Sequence, residues 1–257
     1  MADMSRFRGP THRFANPAAV VEGFRPPKEV ENITFNDKMR LFGDPLDPNF
    51  ERDNIVAAAL PGFGQGKAKE GNILCHRLLA ESLQTVFESI QALNLPYYFD
   101  PYRDTAESHY CLRYAKTEDN YKALVNRPEY AKCDKSHWNV TFAKADQAAG
   151  RGNDLVNGKR KCEHLSAHSW GSALDVNPAS NPLGNGKEFD LPYEIVCEMA
   201  KFGFYWGGYF QHTGSDFMHF QWGARRSMGR GRIFLGRAWP IPWAPEICTS
   251  RPPSISS

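Results

Sequence analysis

The sequence has no long apolar run. Its 257 residues contain no stretch long and apolar enough to span a bilayer, and the opening residues MADMSRFRGPTHRFANPAAVVEGFRPP have no apolar core of the length that a secretory signal needs. We therefore expect a chain with no signal peptide, made in the cytoplasm and without a membrane partner. The net charge is also small, since 31 lysines and arginines stand against 29 aspartates and glutamates to give +2. This balance gives no reason to expect a nucleic acid as partner.

Closely spaced cysteine pairs are absent as well. The six cysteines contain no Cys-x-x-Cys pair and lie at irregular spacings, at Cys75, Cys111, Cys133, Cys162, Cys197 and Cys248. Small secreted domains depend on disulfides because their cores are small, whereas this chain is 41% hydrophobic and long enough to bury one sizeable core. We therefore expect reduced, mostly buried thiols in one domain with extensions.

Periodicity divides the chain into three parts. Residues 1–68 are rich in proline, asparagine and charge without a helical or alternating period, and we expect an extended N-terminal arm. Residues 69–240 are expected to form the compact domain, which opens with an amphipathic helix within residues 71–94. A second helix is expected in TAESHYCLRYAKTED, residues 105–119. Residues 241–257 are rich in proline and serine, and we expect a C-terminal tail.

The segment CEHLSAHSWGSALDVNP, residues 162–178, holds the candidate metal ligands. His168 and Asp175 are separated by the turn-forming SWGSAL, so a loop that runs into a strand can return both side chains to one point. His219 lies in DFMHFQW, whose alternation predicts a second strand, and two antiparallel neighbours would bring the three together. Catalytic zinc takes three ligands of these types. Asp216, just before that strand, is positioned to act as a general base.

Neighbouring residues offer competing interpretations. Cys162 and His164 would form a compact site with His168, although cysteine ligands suit closed structural zinc better than hydrolytic zinc. Packing and support of the site is the simpler role for Cys162 and His164. Ser166 lacks the Gly-x-Ser-x-Gly turn of a serine nucleophile, and we expect it to be a turn residue. Gly171 is expected to leave room near the metal.

Two motifs together resemble the D-Ala-D-Ala metallopeptidase family. SAHSWGSALD fits the pattern S-x-H-x-x-G-x-A-x-D, DFMHF fits acid-x-x-H-F, and FGFYWGG between them is similar to the family's glycine and tryptophan segment. The resemblance covers roughly residues 71–223. It implies an α+β fold of the hedgehog/D-Ala-D-Ala-peptidase type, in which helices flank an antiparallel sheet that carries one zinc site.

The resemblance also implies a role for each matching residue. His168, Asp175 and His219 would bind Zn2+, and Asp216 would be the catalytic acid and base. The family usually carries an upstream arginine that polarises the substrate carbonyl or binds the substrate carboxylate, and Arg103 in FDPYRDTAES occupies the comparable place. The small residues that usually precede that arginine are replaced here by DPY. Arg113 is therefore the alternative.

The family includes D-alanyl-D-alanine carboxypeptidases, vancomycin-resistance dipeptidases and the L-alanyl-D-glutamate endopeptidases used as phage endolysins. The resemblance therefore implies a zinc-dependent peptidase that hydrolyses the stem peptide of bacterial peptidoglycan, as an endolysin or as a virion-associated enzyme. In the second case the N-terminal arm would dock onto phage tail or baseplate proteins. The alternative is a catalytically silent zinc fold that serves as a binding or structural module of a phage tail or baseplate. The presence of Asp216 argues against the silent module, since such a site needs no positioned carboxylate.

Overall fold

The fold combines six helices with small antiparallel sheets in the part of the chain that the structure describes. The structure is a computed structural model, and it describes residues 12–13, 33–61, 72–97, 99, 109–210 and 214–223. The helices are α1 (Phe35–Phe42), α2 (Phe50–Asn54), α3 (Ala80–Ala92), α4 (Glu118–Leu124), α5 (Trp138–Ala148) and α6 (Tyr193–Lys201). The strands are β1 (His12–Arg13), β2 (Ile55–Ala59), β3 (Asn72–His76), β4 (Leu155–Val156), β5 (Lys159–Arg160), β6 (Ala173–Asp175), β7 (Glu188–Phe189), β8 (Phe204–Trp206) and β9 (His219–Trp222).

The strands pair in four antiparallel groups among these residues. The pairs are β1 with β7, β2 with β3 and β4 with β5, and the fourth group is the three-stranded sheet β6-β9-β8. Helices mixed with antiparallel strands agree with the expected α+β class. The hedgehog-like arrangement stays a prediction. None of the described helices has both the length and the apolar character needed to cross a membrane.

The sheet β6-β9-β8 carries two of the candidate ligands. β9 lies in the middle and is antiparallel to both neighbours. Because successive residues of a strand point to opposite faces, Phe220 and Trp222 share one face while His219 and Gln221 share the other. Asp175 pairs directly with His219 in the register, so these two side chains lie on the same face.

Residues 33–61 correct the expected arm. They form α1, α2 and β2, and β2 pairs along its whole length with β3. Thr34 caps α1, since its hydroxyl accepts a hydrogen bond from the backbone N–H of Asp37 at 3.2 Å. This segment also contributes buried apolar side chains to the core, namely Ile33, Phe42, Leu46, Phe50, Ala58 and Leu60. The compact part therefore begins at least 35 residues before the predicted boundary at residue 68, counting from residue 33. Both helices are too short, with 8 and 5 residues, to show a period.

The other predictions for the two ends of the chain concern residues outside those that the structure describes. This holds for the tail, residues 241–257, and for residues 1–32 apart from the two residues of β1.

The helix expected within residues 71–94 is α3, which begins at Ala80 after β3 and buries Leu83, Val86, Phe87 and Ile90. The prediction of a second helix over residues 105–119 is wrong for residues 109–117, which are extended or irregular. The helix α4 begins only at Glu118.

A buried charge network holds the chain just before the site. Lys161 is fully buried and begins a short 3-10 helix. Its ammonium donates to Asp146 and to Glu129, each at 3.0 Å. The hydroxyls of Tyr114 and Tyr130 also donate to Asp146. Breaking such a network by removing one partner costs about 3–5 kcal/mol, so the network fixes the segment that leads into the candidate ligands.

The cysteines agree only in part with the expectation of reduced thiols. Cys75, Cys111, Cys133 and Cys162 are free and buried or half-buried. Cys197 on α6 is instead disulfide-bonded, which corrects the expectation for this residue. Spacing along the chain does not reveal such a bond, because a disulfide depends on the distance between two Cα atoms in space.

Candidate metal centre

The three predicted ligands meet at one buried point. His168 lies in the 3-10 helix Ala167–Trp170, Asp175 ends β6, and His219 begins β9. His219 Nδ1 lies 3.0 Å from Asp175 Oδ1 and 3.2 Å from His168 Nε2. His168 Nε2 is 3.3 Å from the same Asp175 oxygen. One ligand atom from each residue therefore lies within 4.8 Å of the other two.

The hydrogen-bond partner of the outer nitrogen in each histidine ring bears on whether the inner nitrogen presents a lone pair to the centre. His168 Nδ1 lies 2.7 Å from the carbonyl oxygen of His109, which can only accept, so Nδ1 carries the proton and Nε2 is left as a lone pair. His219 Nε2 lies 3.0 Å from Gln221 Oε1, and when a neutral ring donates there, its Nδ1 faces inward as a lone pair. Gln221 thus orients His219 in the way that outer partners orient metal-binding histidines.

The donor set fits a cation. Two ring lone pairs and a carboxylate converge without a proton between them when both rings are neutral. Burial by itself raises the pKa of Asp175, but the charge and hydrogen bonds of the His168 and His219 rings outweigh burial and hold that pKa well below its usual range. Burial lowers the pKa of His219, but the hydrogen bond and charge of Asp175 outweigh burial and raise it. Burial lowers the pKa of His168, which favours the neutral ring that binds metals. Two histidine nitrogens and one carboxylate oxygen form a known catalytic zinc set.

Gly171 shapes the turn that presents His168. Its φ of +62° lies in the left-handed region, and its carbonyl accepts a hydrogen bond from the backbone N–H of His76 on β3 at 2.9 Å. A Cβ at this position would lie 2.5 Å from that same nitrogen. The glycine is thus required by close backbone approach to β3, which corrects the expectation that it leaves room near the metal. Ser166 accepts from the His168 backbone N–H at 3.4 Å, which agrees with its expected role in the turn.

Asp216 lies beside the three ligands and lines the same cavity. The backbone N–H of Asp216 donates to the carbonyl of Gly207 at 3.0 Å. A Cβ at Gly207 would lie 2.6 Å from the Asp216 carbonyl oxygen, so this glycine of FYWGG allows the loop that carries Asp216 to lie close to residue 207. The side-chain Oδ1 is buried and has no hydrogen-bond partner among the described residues. Burial, with the charge of Asp175, raises the pKa of Asp216 to about 6. A carboxyl group that titrates near neutrality suits a general acid and base.

Arg113, the alternative arginine, lies at the site in the structure. Arg103 lies outside the described residues. Arg113 lines the cavity, and its Nη2 is 3.7 Å from Asp175 Oδ2. It lies on an extended stretch that bonds to the 3-10 segment, where the backbone N–H of Ser166 donates to the Arg113 carbonyl at 3.0 Å. The helix expected for residues 105–119 does not predict this extended pairing, and so it does not predict the position of Arg113.

The rival metal set is not assembled. His164 Nδ1 lies 2.7 Å from the side-chain oxygen of Asn120, and its ring therefore supports the neighbouring segment. Burial raises the pKa of the Cys162 thiol to about 11, which disfavours a thiolate ligand. Within the described ranges, the group of His, Cys, Asp or Glu side chains that could hold a metal consists of His168, Asp175 and His219.

A cavity of about 540 Å³ opens over the centre. Besides the residues named above, its lining includes the cationic side chains of Lys38 and Lys116. Lys38 could not be predicted from sequence, because nothing local in the chain connects α1 with the site. Gln221 was not predicted either, although the alternation of β9 already places this residue two positions from His219 on the same face.

Comparison with known proteins agrees with the motifs. Residues 160–222 match a family described as D-alanyl-D-alanine carboxypeptidase. The match confirms the predicted resemblance to the D-Ala-D-Ala metallopeptidase family over this segment, which is about a quarter of the 257 residues. A search of curated proteins found no match, and neither did a search of solved structures. The matched segment contains His168, Asp175, Asp216 and His219 but neither Arg113 nor α1, and it supports a peptidase that acts on D-Ala-D-Ala-type substrates.

Proposed function

We propose that the protein is a zinc-dependent peptidase that hydrolyses the stem peptide of bacterial peptidoglycan. The observation that carries this proposal is the convergence of two histidine ring nitrogens and a carboxylate oxygen beside the buried Asp216, inside the segment that matches a carboxypeptidase family. His168, Asp175 and His219 would hold the ion. A zinc ion in such a site supplies Lewis acidity, which polarises a carbonyl and acidifies water.

The side chains around the ligands divide the remaining work. Asp216 accepts a proton from the attacking water and then donates it to the leaving amine, a role typically worth 10²- to 10⁴-fold in rate. Burial and the neighbouring Asp175 raise the pKa of Asp216, which favours uptake of the proton, and a bound cation would favour its release. The guanidinium of Arg113, beside Asp175, has the fork geometry that binds a substrate carbonyl or carboxylate oxygen.

Digestion of purified peptidoglycan tests this function. The zinc-loaded protein, the same protein after removal of metal by a chelator, and the reloaded protein are each incubated with peptidoglycan, and new termini are identified by mass spectrometry. New free L-alanine carboxyl ends indicate an endopeptidase, and released D-alanine indicates a carboxypeptidase. Activity should vanish with the metal and return on reloading. Binding to peptidoglycan without new termini would favour the silent binding module instead.

The biological setting follows from the same proposal. An endolysin or a virion-associated enzyme would both reach the cell wall, and the second would use residues 1–32 or the C-terminal tail to dock onto phage tail or baseplate proteins. This setting stays a prediction, which co-purification of the protein with intact virions would test.

A further inference from the structure

The cavity over the metal centre has a cationic side chain from outside the family-matched segment. Lys38 on α1 lines this cavity together with His168, Asp175 and Asp216. Its position is fixed by packing, because the Lys38 ammonium lies 5.3 Å from the centroid of the Trp170 ring.

The ring beneath Lys38 is itself held in place. Trp170 is buried, and its indole N–H donates to the carbonyl of Gly43, directly after α1, at 3.0 Å. Phe35 on the same helix packs edge-on against this ring at 6.1 Å. The Lys38 ammonium is therefore presented by a rigid contact between α1 and the turn that carries His168.

Lys38 has no carboxylate partner among the described residues. The carboxylate of its helix neighbour Asp37 instead accepts hydrogen bonds from the backbone N–H and the hydroxyl of Thr34, and it lies 3.7 Å from Arg40. Asp175 is occupied by the two histidines and Arg113. Burial meanwhile lowers the pKa of Lys38 to about 8, so the ammonium is partly removed from water without a compensating anion. A ligand carboxylate would supply that anion.

We propose that Lys38 determines substrate specificity by binding a carboxylate of the stem peptide. This inference rests on the proposed function and names a preference within it. The protein would favour a peptide with a free carboxylate over the same peptide with a carboxamide at that position. Arg113 lies next to Asp175 at the metal centre, whereas Lys38 approaches the cavity from α1, so a second carboxylate of the same peptide is the group that Lys38 would meet.

The test uses three synthetic peptides and three variants. The parent peptide is L-Ala-γ-D-Glu-L-Lys-D-Ala-D-Ala, and the other two carry a carboxamide either at the α-carboxyl of D-Glu or at the C-terminus. The variants are Lys38→Met, which keeps the length of the side chain without its charge, Lys38→Arg, and Lys144→Met as a control at an exposed cation on α5, outside the cavity. Zinc content and thermal midpoint are measured for each to confirm an intact fold.

The expected pattern separates charge recognition from packing. The wild-type KM should be 10- to 100-fold lower for the parent than for one of the two carboxamides, with little change in kcat. Lys38→Met should remove this preference by raising KM for the parent, Lys38→Arg should retain part of it, and Lys144→Met should change KM by less than about 3-fold. Dissociation constants from calorimetry should follow KM.

The same measurements distinguish the two ways of being wrong. If the wild type cleaves the peptides but Lys38→Met retains the full preference, or if there is no preference, the inference fails and the proposed function stands. If the wild type cleaves no peptide but binds the carboxylate form more tightly through Lys38, the proposed function fails and carboxylate recognition stands. Absence of both cleavage and binding overturns both.

Discussion

Replacing Asp216 with asparagine separates catalysis from metal binding. The change keeps the size of the side chain but removes its ability to accept a proton. The buried Oδ1 of Asp216 has no donor to lose, and the loop is held by backbone bonds, with the Asp216 N–H donating to Gly207 at 3.0 Å and a bridge to Leu183. The fold should therefore survive Asp216→Asn.

The expected loss follows from the role assigned to the carboxyl group. Removing a general acid and base typically lowers kcat by 10²- to 10⁴-fold, which corresponds to about 3–5 kcal/mol in activation free energy. Metal affinity should fall by no more than about tenfold, as for groups outside the ligand set. Initial rates on peptidoglycan would be compared at equal zinc occupancy, with zinc measured by mass spectrometry.

A matched exposed acid provides the control. Asp119→Asn on α4 makes the same chemical change outside the cavity and should leave the rate within about twofold of the wild type. Full activity in zinc-loaded Asp216→Asn would remove Asp216 from the mechanism. Loss of zinc along with activity would instead mean that Asp216 acts as a ligand, which contradicts the three-residue site.

Two further predictions concern the metal and the stability of the fold. Purified protein should hold about one zinc per chain, which His168→Ala should lose and Cys162→Ala should keep; the reverse pattern in elemental analysis would move the site to the rival set. His76 is buried, and burial lowers its pKa from 6.5 to about 4, so the stability tied to its neutral ring is complete above pH 6.5 and is lost as the pH falls to about 4. That loss should be on the order of 3 kcal/mol in the free energy of unfolding. Urea unfolding of the wild type and of His76→Gln at each pH measures it as the difference between the two proteins. Equal pH dependence of the two unfolding free energies would contradict this prediction.

The convergence of the three candidate ligands could be predicted from sequence because each lies in a local pattern. The alternation around His219 predicted a strand, and the turn-forming stretch between His168 and Asp175 predicted a loop that enters another strand. The structure has both strands, β6 and β9, in antiparallel register. Local pattern was sufficient here because the three ligands need only one strand pair and one tight turn to meet.

Positions that depend on distant contacts could not be predicted in this way. Arg113 reaches the cavity because residues 110–115 run beside the 3-10 segment, where Tyr114 forms a backbone bridge to Leu165, far away in the sequence. Helix-favouring residues in the same stretch indicated a helix, and tertiary pairing outweighed that propensity. Lys38 was missed for a related reason, since α1 is short and its contact with Trp170 is long-range.

Gly171 takes part in both a local turn and a distant contact with β3. Its replacement by alanine tests how closely the turn that carries His168 must approach β3. An alanine at φ +62° costs about 1–2 kcal/mol, and a Cβ at 2.5 Å from the backbone nitrogen of His76 adds an overpacking cost of about 1–3 kcal/mol. Gly158 provides the control, because its φ is +77° and a Cβ there would meet nothing within 4 Å. We expect Gly158→Ala to lose only the first contribution, and Gly171→Ala to lose both and to bind zinc more weakly. Urea unfolding at unchanged m-value measures each loss. Equal losses in the two variants would mean that β3 yields to the new methyl group and does not fix the turn that presents His168.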